Sequence, residues 1–233
     1  MPFLVQRTAV AVVLGVALSV MGASVGDSTA VAVAETEWGL EQESFPLESR
    51  PAGLRDWSVQ AGFAIISGNN IGEIFSGGLN QAQGDAGGSV YSLSVNWVAH
   101  RFEIPCRERV LRPQFEAYVT LAVVDENSGS MFPDYNGGVG FRWVDFPWDR
   151  WIETTVFVGI GLSYSTQVYA IDRERHEGED RSHLKFDWPI QVTFAFPRWP
   201  QHQLVLFNDH HSGGHVFDEG GVNSFGIGYR LEF

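Results

Sequence analysis

From position 57 onward the chain alternates apolar with polar or small residues at a period of two, the pattern of strands with one greasy and one wet face. Trp57, Val59, Ala61, Phe63 and Ile65 oppose Ser58, Gln60 and Gly62. Tyr91, Leu93, Val95 and Trp97 oppose Ser92, Ser94 and Asn96, and Phe115 to Val123 on odd positions oppose Gln114, Glu116 and Thr120. A Gly-rich stretch from about Gly137 to Phe146 predicts a fourth strand, and Ile152, Thr154, Val156, Val158, Ile160 and Leu162 mark a fifth. The sixth is the cleanest, with Leu184, Phe186, Trp188, Ile190, Val192, Phe194 and Phe196 against Lys185, Asp187, Gln191 and Thr193. A seventh runs from His202 to about Ser212, and the last, from Gly221 to Phe233, carries Phe225, Ile227, Tyr229, Leu231 and Phe233 on one side. Roughly eight strands of about ten residues predict an all-β fold over 57–233: an eight-stranded antiparallel transmembrane β-barrel, the smallest closure that leaves no unpaired edge in lipid.

The links fit this scheme if the barrel begins on the periplasmic side. Those that should face outward, Ser67 to Gly88, Asp125 to Asn136, Gln167 to His183 and Gly213 to Gly220, are long or polar; Pro147 to Arg150 and Arg198 to Pro200 are short. Glu103 to Pro113 is longer than a usual periplasmic turn. Trp57, Trp97, Trp143, Trp148, Trp151 and Trp199 fall near strand ends, where an interfacial girdle wants them. A soluble lipocalin-like barrel would alternate in the same way with its large residues inside. The Gly, Ser, Thr and Gln of the opposite face suit a narrow interior. The terminal Phe233 resembles the closing residue of bacterial outer-membrane barrels, which the barrel-insertion machinery reads. Both favour lipid on the outside.

The N-terminus points to the same compartment. Arg7 precedes the uncharged run from Thr8 to Ser24, and Ala32-Val33-Ala34 offers a small-residue cleavage site before Glu35. We therefore expect a signal peptide over 1–34, a periplasmic N-terminal segment over 35–56, and the cell outer membrane as destination. Composition agrees: 26 Gly, 17 Phe and 8 Trp accompany 44% hydrophobic residues, yet the mean hydropathy is -0.06. The single Cys106 excludes an internal disulfide framework. A formal charge of -13 excludes nucleic acid, since no basic patch is present to neutralise phosphates.

Candidate chemistry lies just before the last strand, in Asn208-Asp209-His210-His211-Ser212-Gly213-Gly214, followed by His215 to Glu219 and Gly220-Gly221-Val222-Asn223. His210 and Ser212 are two apart on a strand, so they share a face and an imidazole can reach the hydroxyl. The window from His202 to Phe233 resembles the PagL-type lipid A 3-O-deacylases, small outer-membrane esterases with a His-x-Ser-Asn motif on the penultimate strand. That resemblance implies a carboxylic ester hydrolase that removes an acyl chain from lipid A or lipopolysaccharide in the outer leaflet, with Ser212 as nucleophile and His210 as base. It implies no cofactor, and the spacing of His210, His211, His215 and Asp218 matches no standard metal site.

Two positions depart from the family. Its Asn after the serine is Gly213 here, leaving a backbone N–H as the oxyanion donor, and its acid corresponds to Asn223 if one loop residue is deleted. Asn can orient a histidine but stabilises an imidazolium less than a carboxylate does; Asp218 and Glu219 are the alternative acids. Arg173, Arg175 and Arg181, among mixed charges in the Gln167 to His183 loop, are candidate contacts for lipid phosphates. A homodimer is compatible with such a barrel. So is a different class of function, a non-enzymatic barrel with a structural or adhesive role.

Overall fold

The computed structural model describes residues 55–106 and 109–233. The expected signal peptide, and residues 35–54 of the expected periplasmic segment, lie outside the described residues. Among the described residues ten strands form: β1 (Trp57–Ser67), β2 (Gly88–Arg101), β3 (Ile104–Cys106), β4 (Arg109–Leu111), β5 (Gln114–Glu126), β6 (Met131–Trp143), β7 (Glu153–Ser165), β8 (Leu184–Ala195), β9 (His202–Ser212) and β10 (Gly221–Glu232). Two short helices, α1 (Ile71–Phe75) and α2 (Ala170–Arg175), sit in the links after β1 and β7.

Eight strands close into one antiparallel barrel in the order β1-β10-β9-β8-β7-β6-β5-β2. The last residue seals the seam: Phe233 N–H donates to the Trp57 carbonyl at 2.9 Å, and Trp57 N–H to the Phe233 carbonyl at 3.2 Å. No open edge remains between first and last strands, as a lipid-embedded sheet requires. The link from Glu103 to Pro113, too long for a plain turn, contains the separate β3–β4 hairpin.

Greasy rows face outward. Leu93, Val119, Leu121, Ile160, Leu162, Leu204 and Ile227 are exposed, whereas the alternate positions Gln60, Asn96, Glu116, Thr193 and Gln203 are buried inside. This is the reverse of a lipocalin and defines a hydrocarbon-facing belt. At the rim that holds the chain's C-terminus, Trp57, Trp97, Trp151 and Trp199 are exposed, and Trp57 stacks on Trp97 across β1 and β2. Tyr91, Tyr135, Tyr164 and Trp188 ring the other end of the belt. The far rim carries the long β1–β2 and β7–β8 links, the side that faces outward in such barrels.

The expectation for β5 and β6 needs correction. The link expected over Asp125 to Asn136 is only the tight turn 127–130, and β6 starts at Met131 rather than near Gly137. Pro133, Asp134 and Asn136 interrupt the apolar alternation, so the strand's first half does not resemble one. Within β6, Gly138 makes room for a neighbour: a Cβ there would fall 2.8 Å from the Tyr118 hydroxyl and 2.3 Å from the Ile160 carbonyl.

The interior is more than small and polar. Toward the terminal rim, Glu116 accepts from Arg142 Nε at 2.6 Å and from Arg230 Nη2 at 3.2 Å, all three side chains being fully buried. Higher up, Tyr118 donates to Asp187 at 2.8 Å, and Tyr169 to Asp134 at 2.6 Å. Under the far rim an apolar layer of Ala64, Ile66, Val90, Val124, Phe132, Phe207 and Val222 is covered by Tyr169 and Ile171 of the β7–β8 link. The link thus plugs the barrel mouth. A charge cluster latches it: Asp172 is ion-paired with Arg181 Nη2 at 3.0 Å and Lys185 Nζ at 2.9 Å, and Lys185 also reaches Asp218 at 2.6 Å.

Candidate lipid-facing active site

The register of β9 against β10 builds the site. His210 pairs with Asn223 and Ser212 with Gly221, so an imidazole, an amide and a hydroxyl come onto adjacent strands near the far rim. Leu204 and Ile227, exposed lower on the same two strands, share the outward side with them. His211 faces the opposite wall, its ring nitrogens 3.5 Å from Asp134 and 3.4 Å from Asp187 inside the barrel. Asp209 shares that inward side and lines the interior cavity with Tyr118 and Asp187.

His210 Nδ1 lies 2.8 Å from Asn223 Oδ1, and Asn223 Nδ2 donates to the Asn69 carbonyl at 3.0 Å. The second contact fixes the first: with the NH2 spent on a carbonyl, the amide oxygen must face the ring, so His210 donates from Nδ1 and keeps a lone pair on Nε2. A general base needs that free lone pair. Ser212 Oγ accepts from Gly214 N–H at 3.2 Å, which leaves its own proton available. Among the described residues, the side-chain hydrogen bonds of His210 and Ser212 run to these partners and not to each other.

Both side chains open into a crevice of ≈ 560 Å³ with three walls. Gly68, Asn70 and Glu73 of the β1–β2 link form one, Arg175 and His176 of the β7–β8 link the second, and Glu219 and Gly220 of the β9–β10 turn the third. α1 forms because Asn70 and Glu73 cap it reciprocally: Glu73 N–H donates to Asn70 Oδ1 at 2.9 Å and Asn70 N–H to Glu73 Oε2 at 3.0 Å. Its Ile74 is buried against Phe225 and Leu79, which seats the link on the outer surface of β10.

Other expected site residues are deployed differently. The Gly213 N–H, expected as oxyanion donor, is committed to the Gly220 carbonyl at 2.8 Å because the β9–β10 turn closes there. Asp218, an alternative acid, belongs to the latch: it accepts from Lys185 Nζ at 2.6 Å, Ser182 N–H at 2.8 Å and Gly220 N–H at 2.9 Å. Burial pushes its carboxyl up, but those three donors outweigh burial and hold it below the ordinary aspartate range. Its share of latch stability is therefore complete above that range and lost only as pH falls through the lowered value. Glu219 is exposed at the crevice edge, 3.5 Å from His215.

The three arginines separate. Arg181 is buried between Asp172 and Asp218, and Arg173 donates to the Val168 carbonyl at 2.6 Å. Of the three, Arg175 lines the crevice, where Nη2 donates to the Gly68 carbonyl at 2.6 Å. Asn69, Glu73 and His176 were not legible as site residues. Their place depends on how two distant links meet over the barrel wall.

The closed sheet, the outward apolar belt and the two aromatic rings define a small bacterial outer-membrane β-barrel. No protein-family model matches the chain, and no curated protein does. Among solved structures, the chain is similar to the outer membrane enzyme PagL, at 14% identity over 76% of this chain and 99% of that one, with a TM-score of 0.53. It is similar also to Neisserial surface protein A, at 13% identity over 76% and 97%, TM-score 0.44. Ail of Yersinia pestis aligns at 14% identity over 76% and 99%, TM-score 0.34. The likeness to PagL shows the shared barrel fold and assigns no residue roles.

Proposed function

We propose that the protein is an outer-membrane carboxylic ester hydrolase that removes an ester-linked acyl chain from lipid A or a related outer-leaflet lipid, with Ser212 as nucleophile and His210 as base. One observation carries this: a histidine on the outward wall, held in the base-competent tautomer by Asn223, shares a crevice with a serine whose proton is free. Polar side chains on a hydrocarbon-facing wall are costly without a use. At the outer rim they meet the ester region of a lipid whose acyl chains lie along Leu204 and Ile227.

In the reaction, His210 Nε2 takes the Ser212 proton as Oγ attacks the ester carbonyl. The tetrahedral intermediate collapses to an acyl-serine as the protonated ring returns that proton to the leaving sugar oxygen. Water then attacks the acyl carbon as the same nitrogen takes its proton, and breakage of the Oγ–acyl bond releases the fatty acid while that proton returns to Ser212 Oγ. Asn223 orients the ring without a full counter-charge, and Arg175 at the crevice wall suits a lipid phosphate.

A second function, a non-enzymatic barrel, draws support from the committed Gly213 N–H and the missing Ser212–His210 bond. A long-chain alkyl fluorophosphonate separates the two. The esterase should take up one adduct, located at Ser212 by peptide mass spectrometry; a folded barrel that stays unlabelled, or is labelled elsewhere, removes Ser212 as nucleophile.

A further inference from the structure

We propose that the β1–β2 link is part of the catalytic apparatus: the backbone carbonyl of Asn69 selects an amide rather than a carboxylate at position 223, and through it fixes which ring nitrogen of His210 carries the proton. The inference rests on the esterase assignment but deepens it, because it makes Asn223 the fitted residue and not a degraded acid.

Asn223 is 2% exposed and both ends of its amide are spent, Oδ1 on His210 at 2.8 Å and Nδ2 on the Asn69 carbonyl at 3.0 Å. A carboxylate in this place would turn a charged oxygen toward a carbonyl oxygen with no donor between them. A buried acceptor pair of that kind is unfavourable. It would be relieved only by rotating away from His210, by holding a proton, or by moving the link.

The link is built to resist movement. Asn69 Oδ1 accepts from Asn80 N–H at 2.6 Å, its Nδ2 donates to Glu73 Oε2 at 3.2 Å, and its N–H donates to Ser67 Oγ at 3.1 Å. Arg175 holds the preceding Gly68 carbonyl at 2.6 Å from the β7–β8 side, and Ile74 anchors the helix against Phe225. Two outer links therefore brace the backbone at Gly68 and Asn69, and the Asn69 carbonyl sets one amide. Asn69 is a positioning residue, acting on His210 through Asn223. When the link lifts, the amide is free to rotate and the imidazole to exchange tautomers.

The test uses the full barrel in detergent micelles, with a medium-chain p-nitrophenyl ester as substrate and 15N imidazole shifts of His210 as a readout independent of turnover. The His210 signals are assigned by their loss in His210→Gln. Asn223→Asp should lower kcat by about tenfold instead of raising it. Asn69→Ala, which removes the side-chain grips, should lower kcat in the parent background and raise it in the Asn223→Asp background, a reversal of sign that general loosening would not produce. The His210 ring should carry its proton on Nδ1 in the parent and a mixture of tautomers in Asn69→Ala; Glu73→Gln loosens the same grip if Asn69→Ala fails to fold.

An Asn223→Asp variant as fast as the parent or faster overturns the proposal. So does an Asn69→Ala ring that stays in one tautomer. If the parent cleaves no ester yet the tautomer shifts as stated, the esterase assignment fails and the Asn69 assignment stands.

Discussion

Replacing Ser212 with Ala is expected to bring ester hydrolysis down to the uncatalysed background, and replacing His210 with Ala to slow it by roughly 10²–10⁴-fold, the range a positioned general base contributes. Ser212 supplies the only protein atom in the scheme that bonds to the acyl carbon, so no neighbouring side chain substitutes for it. The His210 variant retains the nucleophile but has no acceptor for its proton. His211 cannot take over, because it faces the barrel interior among Asp134 and Asp187. Neither change should weaken the barrel, since both side chains are only half-buried at the crevice and leave the strand ladder intact. The check is a continuous assay of fatty-acid release from micellar ester for parent and variants, alongside their unfolding midpoints. Residual hydrolysis near the parent rate in Ser212→Ala would place the nucleophile elsewhere.

The second large effect concerns stability. Glu116→Ala should destabilise the barrel by about 3–5 kcal/mol, the cost of leaving buried charge without its partner. Glu116 is fully buried and accepts from two guanidiniums, Arg142 at 2.6 and 3.1 Å and Arg230 at 3.2 and 3.4 Å. Without it two positive side chains face each other inside a closed sheet; Arg142 keeps the neutral acceptors Thr155 at 2.9 Å and Gln191 at 3.3 Å, and Arg230 keeps a looser pairing with Glu232 at 3.7 Å. Glu116→Gln retains an acceptor and should fall between parent and Ala. Denaturant-induced unfolding in micelles reads the difference; equal midpoints for the three proteins would mean that the charge cluster adds nothing to the fold.

How much of this was legible in the chain depends on which interactions are local. Strand β8 shows itself because alternation from Leu184 to Phe196 is a property of neighbours, whereas in β9 Val205 and Phe207 make both faces apolar and blur the pattern. β6 hides because Pro133, Asp134 and Asn136 break the same pattern, although the ladder to β5 needs them extended. Glu116, Arg142 and Arg230 could be assigned to the inner face by parity, but not to one another, since the partners are 26 and 114 residues from Glu116.

The site divides in the same way. Spacing puts His210 and Ser212 on one face, but their expected roles, and that of Asn223, come from the resemblance of the 202–233 window; the register that sets Asn223 opposite His210 is visible only in the fold. Gly213 misleads because closure of the β9–β10 turn uses the N–H that a linear motif leaves free. Asp218 misleads because its three donors include Lys185 and Ser182, brought to it by the latch of a different link. The Asn69 carbonyl was beyond reach altogether: it contacts Asn223 across 154 positions, through an atom that every residue has.

The measurement closest to the central claim is the fate of lipid A itself. Purified, folded parent protein is incubated with lipid A in mixed micelles, and products are followed by mass spectrometry. Loss of one ester-linked acyl chain with release of the matching free fatty acid is the predicted result, absent with Ser212→Ala. Lipid A and related acylated lipids left intact by a correctly folded barrel would contradict it.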